Sequence, residues 1–388
     1  MKTRIFTGII ALAAWTGVSC SNDDFSEQQP KNNAIEFGTY LGRPAQAKAT
    51  GITTETLSNF GVFVYYTNGG GFTNESIPNF MYNQKVAKDS VKGWVYEPVK
   101  YWPNNESDRL SFFAYAPYDA NKDGENNAYL NLIESTAKGI PSVQYVVATN
   151  VTEQVDLLYA AQKDLSKQTI DGKVKFQFAH ALSRIGFKVQ ALVDYVNDQK
   201  TQATPDNNTD KGEAIASGTS ITVTSVKIKF GSSYRDNGWL NLESGEWRQR
   251  TTNNNGDNSY TLTSTDNFET ITMSNEPQRL NKEDSYLMIL PHSFDGLMED
   301  GVTSDGTDKM SIEVTYVVET TDANLAGGKS SITNTINSGD FTWTFEQGKA
   351  YNFVLHLGMT SVKFDAEVTS WVTAEGTDVV VNVPINRK

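Results

Sequence analysis

Residues Leu110–Ala116 read Leu-Ser-Phe-Phe-Ala-Tyr-Ala, and no stretch of the chain limits its fold more tightly. Successive side chains on a strand point to opposite faces. Leu110, Phe112, Ala114 and Ala116 therefore share one face, while Phe113 and Tyr115 occupy the other. Both faces are apolar, so the strand must be covered on both sides. Upstream, Trp94 and Tyr96 fall on one face of a second extended segment, and the polar run Pro103-Asn-Asn-Glu-Ser-Asp108 supplies a turn between the two. The local pattern predicts a core hairpin of a β-sandwich.

Further strands follow from the same period-2 alternation. Ile35, Phe37, Thr39 and Leu41 share a face, and Phe60–Tyr66 is β-branched and aromatic throughout. Val174–Val189, Ile221–Phe230, Met310–Val318 and Tyr351–Leu357 read as strands, and Ser285–His292 as a strand stopped by Pro291. Trp239–Trp247 reads as a hairpin turning at Ser244-Gly245. Residues 194–218 are polar and read as a long loop. With 388 residues the chain has room for two domains. The expectation is an all-β chain of two tandem β-sandwich domains, 34–184 and 185–388.

The amino terminus has its own logic. Lys2 and Arg4 precede an apolar run from Ile5 to Val18, which is too short to span a bilayer as a helix. Small residues lead to Cys20, the only cysteine, so no intrachain disulfide can form. This reads as a lipoprotein signal peptide over 1–19, cut before Cys20, with the Cys20 thiol then acylated, for example by palmitate. Gly17 stands where the usual lipobox has Leu. Acyl chains at about 0.8 kcal/mol per buried methylene anchor such a protein to a membrane. Residues 20–33 are polar and acidic and read as a tether.

Composition and motifs exclude several functions. A formal charge of −13 does not suit nucleic acid, because phosphate binding needs clustered Lys and Arg. His180, His292 and His356 each stand alone in strand-like contexts, and no zinc spacing is present. His180 and Ser183 lack a nucleophile elbow, and His180 reads as a core residue. No enzyme and no cofactor is expected. Asp119, Asn121 and Asp123 fit the opening of a calcium loop, but Leu130 occupies the twelfth position, where a bidentate Glu belongs. A glycine-terminated turn is the plainer reading of Asp119–Gly124.

Tyr101-Trp102-Pro103 followed by the Leu110–Pro117 strand resembles the fimbrillin family, the type V pilins of Bacteroidota. Phe60-Gly-Val-Phe63, Asn79–Gln84, Val155–Ala160 and Val174–Val189 resemble it too, as do Trp247, Leu290-Pro291 and Gly348-Lys-Ala-Tyr351. Their order across the chain carries the likeness. The resemblance implies transthyretin-like sandwiches, an outer-membrane lipoprotein precursor and a subunit of a surface fimbria. The acidic residues after Cys20 resemble a surface-export signal. In fimbrillins a trypsin-like protease removes the first strand. The matching position here is Lys48; Arg43 precedes Pro44, whose ring disturbs the fit at the scissile bond.

At the other end, Val379, Val381, Val383 and Ile385 form one apolar face within 378–385. A donor strand needs this pattern, because alternate side chains fill a groove while the main chain hydrogen-bonds. The last strand of the chain's own domain would show the same pattern. Together the ends suggest strand exchange: removal of Ile35, Phe37 and Leu41 empties a slot that a neighbour's tail fills. The partners expected are other pilin subunits, the outer membrane and a host or bacterial surface ligand. The alternative is a monomeric surface lipoprotein binding glycan or protein, with Trp239 or Trp247 stacking on sugars.

Overall fold

The computed structural model describes residues 33–41, 52–119, 130–191, 219–250, 256, 258–269, 276–295, 308–321, 323–324, 326–357, 362–370 and 379–381. The chain divides into two units, Met1–Asn33 and Ala34–Lys388. Among the described residues the second is all β apart from short helical turns.

A six-stranded antiparallel sheet carries the aromatic stretch. Its members are β2 (Asn59–Thr67), β3 (Met81–Asp89), β4 (Gly93–Val95), β5 (Arg109–Ala116), β8 (Leu158–Leu165) and β10 (Ala179–His180). The order across it is β10-β8-β5-β2-β3-β4. The two-faced pattern of β5 is fulfilled. Leu110, Phe112, Ala114 and Ala116 join one buried cluster and Phe113 and Tyr115 join another. Strand β2 divides likewise, with Phe60, Val62 and Val64 on the first side and Phe63 and Tyr65 on the second.

The expected hairpin between the Trp94 segment and β5 is not formed. β4 pairs with β3, and β2 and β3 lie between it and β5. The reason is that residues 96–102 leave the sheet and cross to the opposite layer. There Tyr101 bridges Ala34, and the Trp102 indole N–H donates to Gly172 O at 2.9 Å. That layer also holds β1 (Glu36–Tyr40) and β9 (Lys173–Gln177), paired in parallel.

Three further sheets enclose the second cluster. One joins β11 (Ser183–Ala191) to β16 (Gln278–Arg279), β17 (Leu287–Ile289) and β22 (Lys349–Leu357), and continues to β23 (Val362–Ser370) and β24 (Val379–Val381). Within it β11 and β22 run parallel. Another has the order β15-β12-β19-β20, formed by Ser259–Thr263, Thr219–Lys229, Ser311–Thr321 and Lys329–Asn337. The third runs β14-β13-β7-β6, formed by Trp247–Gln249, Asn237–Asn241, Ser142–Val146 and Leu130–Leu132. A small pair, β18 (His292–Phe294) with β21 (Trp343–Phe345), completes the described strands.

Several local expectations are met. Leu240 pairs with Trp247 across the predicted hairpin, and Gly245 takes the positive φ of 75° that its turn requires. Pro291 interrupts the apolar strand at the gap between β17 and β18. Residues on the two sides of position 184 share a sheet through the β7–β13 pairing, and they share one core.

Candidate functional site

β1 occupies a slot between two other parts of the chain. On one side lies β9, in register from Glu36–Lys173 to Tyr40–Gln177. On the other, Ile35 N–H donates to Lys100 O at 2.9 Å. The strand is closed at its end by Phe178 N–H, which donates to Tyr40 O at 2.9 Å. Alternation dictates which side chains fill the floor. Ile35, Phe37 and Leu41 are buried, Thr39 is half-buried, and Glu36 and Tyr40 face solvent. Phe37 sits among four rings: Tyr96 at 5.4 Å, Phe60 at 5.8 Å, Phe176 at 5.9 Å and Phe112 at 6.2 Å. The stacking of Phe37 on Phe176 is nearly parallel, at 9°. The Tyr96 hydroxyl donates to Ile35 O at 2.9 Å, and burial pushes its pKa up to about 12.

The segment after β1 is tied at both ends. Leu41 N–H donates to Thr54 Oγ1 at 3.0 Å, and the Thr54 hydroxyl returns a bond to Leu41 O at 3.2 Å. Ile52 N–H donates to Asp156 Oδ2 at 2.9 Å. Asp156 also faces the His180 imidazole, with Nδ1 2.9 Å from Oδ2, and each side chain is only 3% exposed. His180 is thus a core residue held by a buried carboxylate. Ser183 turns elsewhere and donates to Glu346 O at 2.8 Å. Arg43 and Lys48 fall between the two tied ends but lie outside the described residues.

At the far end, β24 lies last in its sheet. Val379 pairs with Val368, Val380 with Glu367 and Val381 with Ala366. Residues 379–381 thus take the place of a last strand in their own sheet, on an outer edge. Val383 and Ile385 lie outside the described residues, as does Cys20. Asp119 is buried, and its carbonyl accepts from the Asn83 amide at 3.0 Å; Asn121 and Asp123 are outside the described residues. No cluster of three metal-ligating side chains occurs among the described residues. Trp239 and Trp247 are both half-buried, and the Trp247 N–H donates to Ala181 O at 2.8 Å.

The sequence reading placed Ile35, Phe37 and Leu41 on one face but missed what they face. β9 is visible in the sequence as the alternation of Val174, Phe176 and Phe178. The crossing segment carries a signal in Tyr96 and Trp102, two aromatics with polar handles that each end on a backbone carbonyl of this layer.

A sequence profile described as Fimbrillin-like matches residues 47–371. The chain is 26% identical over 396 residues to a fimbrium subunit, Fim1C, of Phocaeicola vulgatus, covering 96% of this chain and 98% of that one. A crystal structure of a fimbrial protein from Bacteroides vulgatus superposes with a TM-score of 0.64 at 20% identity, covering 88% of this chain and all of that one. A crystal structure of a cell adhesion candidate from Bacteroides ovatus, at 13% identity, has a TM-score of 0.46 over 88% of this chain and 98% of its own.

Proposed function

The chain belongs to the fimbrillin-like family, and we propose that its subunits are joined by exchange of β-strands. It is a structural subunit of a cell-surface fimbria with a role in adhesion. In the proposed assembly, cleavage after Lys48, rather than Arg43, frees β1. The tail of the next subunit, with Val379, Val381, Val383 and Ile385 inward, then takes the vacated slot. Cys20 carries the lipid that holds the precursor on the outer membrane, surface-exposed.

The observation that supports this reading is the position of β1. Both of its neighbours, β9 and residues 100–101, belong to parts of the chain beyond the cut, so loss of β1 leaves a slot with two walls intact. The energetics favour exchange only after cleavage. Burying Ile35, Phe37 and Leu41 contributes roughly 5–9 kcal/mol. Ordering the eight residues 34–41 costs about 8–16 kcal/mol of backbone entropy, which the rest of the fold must offset. A severed strand also gains translational freedom, on the order of 4–15 kcal/mol. Tethered, β1 stays; cut, it is exchangeable. Four apolar side chains of the tail contribute roughly 6–12 kcal/mol to replacing it.

The test is to treat purified full-length chain with a trypsin-like protease. Mass spectrometry should find a new amino terminus at Ala49, and denaturant-resistant ladders should appear on gels. Substituting Lys48→Gln should block both, and removing residues 378–388 should leave cleavage intact while abolishing the ladders. Ladders that persist without residues 378–388 would sink the mechanism.

A further inference from the structure

Strand β20 is an edge of a kind that folded proteins usually avoid. Among the described residues it ends its sheet and pairs only with β19. It runs nine residues in unbroken register, without a bulge. The other strands that end sheets here are two to five residues long, which is one common way of blunting an edge. Two further devices are missing from the strand itself. β20 contains no proline, and its only charge, Lys329, sits at its first position. Ile332 is 58% exposed beside this open side.

The hydrogen-bond phase of the edge can be worked out. Ser338 N–H donates to Ile312 O at 2.8 Å. In an antiparallel ladder the hydrogen-bonded pairs recur at every second residue. Ile332, Asn334 and Ile336 therefore direct their main-chain groups towards β19. Ser331, Thr333, Thr335 and Asn337 direct theirs to the open side.

The sequence of the strand is close to a palindrome. From Ser330 to Ser338 it reads Ser-Ser-Ile-Thr-Asn-Thr-Ile-Asn-Ser, with Asn334 at the centre. We propose that β20 is a docking edge for a second copy of this chain, the two strands pairing antiparallel about a two-fold axis through Asn334. That register sets Thr333 opposite the second copy's Thr335, and Ile332 opposite its Ile336. Ser331 meets Asn337, so every outward main-chain group meets an outward partner, about eight hydrogen bonds in all. Lys329 at one end of each strand comes beside Asp340 past the other end, and both are exposed. Charge, polarity and hydrogen-bond phase agree in this one register. A shift by one residue would set outward groups against inward ones. The result is a continuous eight-stranded sheet with a self-complementary interface. It needs no cleavage and no tail, so it stands apart from strand exchange.

The test uses uncleaved full-length chain with Cys20→Ser. Sedimentation velocity should show a monomer–dimer equilibrium, weak because one edge buries less than a standard interface. Thr333→Pro removes only an outward donor and leaves the β19 ladder intact. Ile332→Lys changes a side chain already in solvent. Each should weaken the dimer at least tenfold with an unchanged circular dichroism spectrum. Lys329→Asp and Asp340→Lys should each weaken it, and the double variant should restore it. Asn334→Cys should oxidise to a covalent dimer, because the residues of the central pair face each other across a non-hydrogen-bonded site, whereas Thr333→Cys should not. A chain that stays monomeric up to about 1 mM, where binding free energy falls to roughly 4 kcal/mol, overturns the proposal. So does a dimer that ignores both Thr333→Pro and Ile332→Lys.

Discussion

Phe37→Ala probes the grip of the body on β1. Phe37 is 3% exposed and touches four aromatic rings, so truncation removes a filled site, not a surface contact. Phe-to-Ala changes in cores cost about 3–5 kcal/mol, the spread reflecting how far the site collapses. Phe60 and Phe112 are held by β2 and β5 of the six-stranded sheet. Tyr96 and Phe176 are packed in the opposite layer, where Phe176 also contacts Phe60 and Phe178, so little collapse is available and the upper half of that range applies. Most of that cost falls on attachment of β1, because the four rings keep their other neighbours. At 1.4 kcal/mol per decade, about 4 kcal/mol speeds release of a severed β1 by roughly 10³-fold. The assay follows retention of the severed amino-terminal peptide by size exclusion and mass spectrometry after protease treatment. Tyr40→Ala, on the solvent face of the same strand, should change retention by less than about threefold. Equal retention of β1 in the Phe37→Ala and Tyr40→Ala proteins would refute the picture of a slot held by its buried face.

Other consequences can be measured in the same protein. Asp156→Asn should destabilise the fold by about 1–3 kcal/mol in urea titration, because the carboxylate serves both Ile52 N–H and the buried His180. Hydrogen exchange should then rise at Ile52 before it rises in β5. Tyr96 and Tyr351 have pKa values raised by burial to about 12, against an ordinary 10. A raised folded-state value means stability fully present below pH 10 and lost as pH climbs towards 12. Alkaline titration followed by tyrosinate absorbance should show this loss, and Tyr96→Phe should remove the β1-linked share of it.

Where the sequence was legible, the signal was local. β5 declared itself buried on both faces through Phe112 and Phe113 side by side, and its two clusters follow that division residue by residue. The Trp239–Trp247 hairpin was equally readable, since Ser244-Gly245 is a turn signal independent of anything distant. The pairing of β1 with β9 was not readable, because the alternation of Ile35, Phe37 and Leu41 tells which side is buried, not against what. Parallel partners far apart in sequence leave no local trace. The missed step at Trp94 has the same origin: Tyr96 and Trp102 carry polar handles that need partners, but nothing local says that those partners lie in the opposite layer. β20 went unread for another reason. Its Ser, Asn and Lys carry low strand propensity, and only pairing with β19 along nine residues keeps it extended. His180 was readable as a core residue, but its partner Asp156 was not, since a single Asp in an acidic chain has no distinguishing neighbours.

Strand exchange is tested most directly by pinning β1 in place. Gly38 and Lys175 are paired across the β1–β9 ladder, and a Cβ built at Gly38 lies 3.7 Å from Lys175 Cγ on the outer side of the strand. Gly38→Cys with Lys175→Cys, in a chain with Cys20→Ser, puts the two cysteines at paired positions of adjacent strands, whose spacing of about 4.8 Å falls in the Cα range of a disulfide. The Lys173 Cε 3.0 Å from the new Cβ is the end of a flexible side chain that can move aside. After cleavage at Lys48 the oxidised protein should remain monomeric with respect to tail-dependent ladders, and reductant should restore them. Ladders forming at the same rate in the oxidised and reduced proteins would contradict the exchange of β1 for a neighbour's tail.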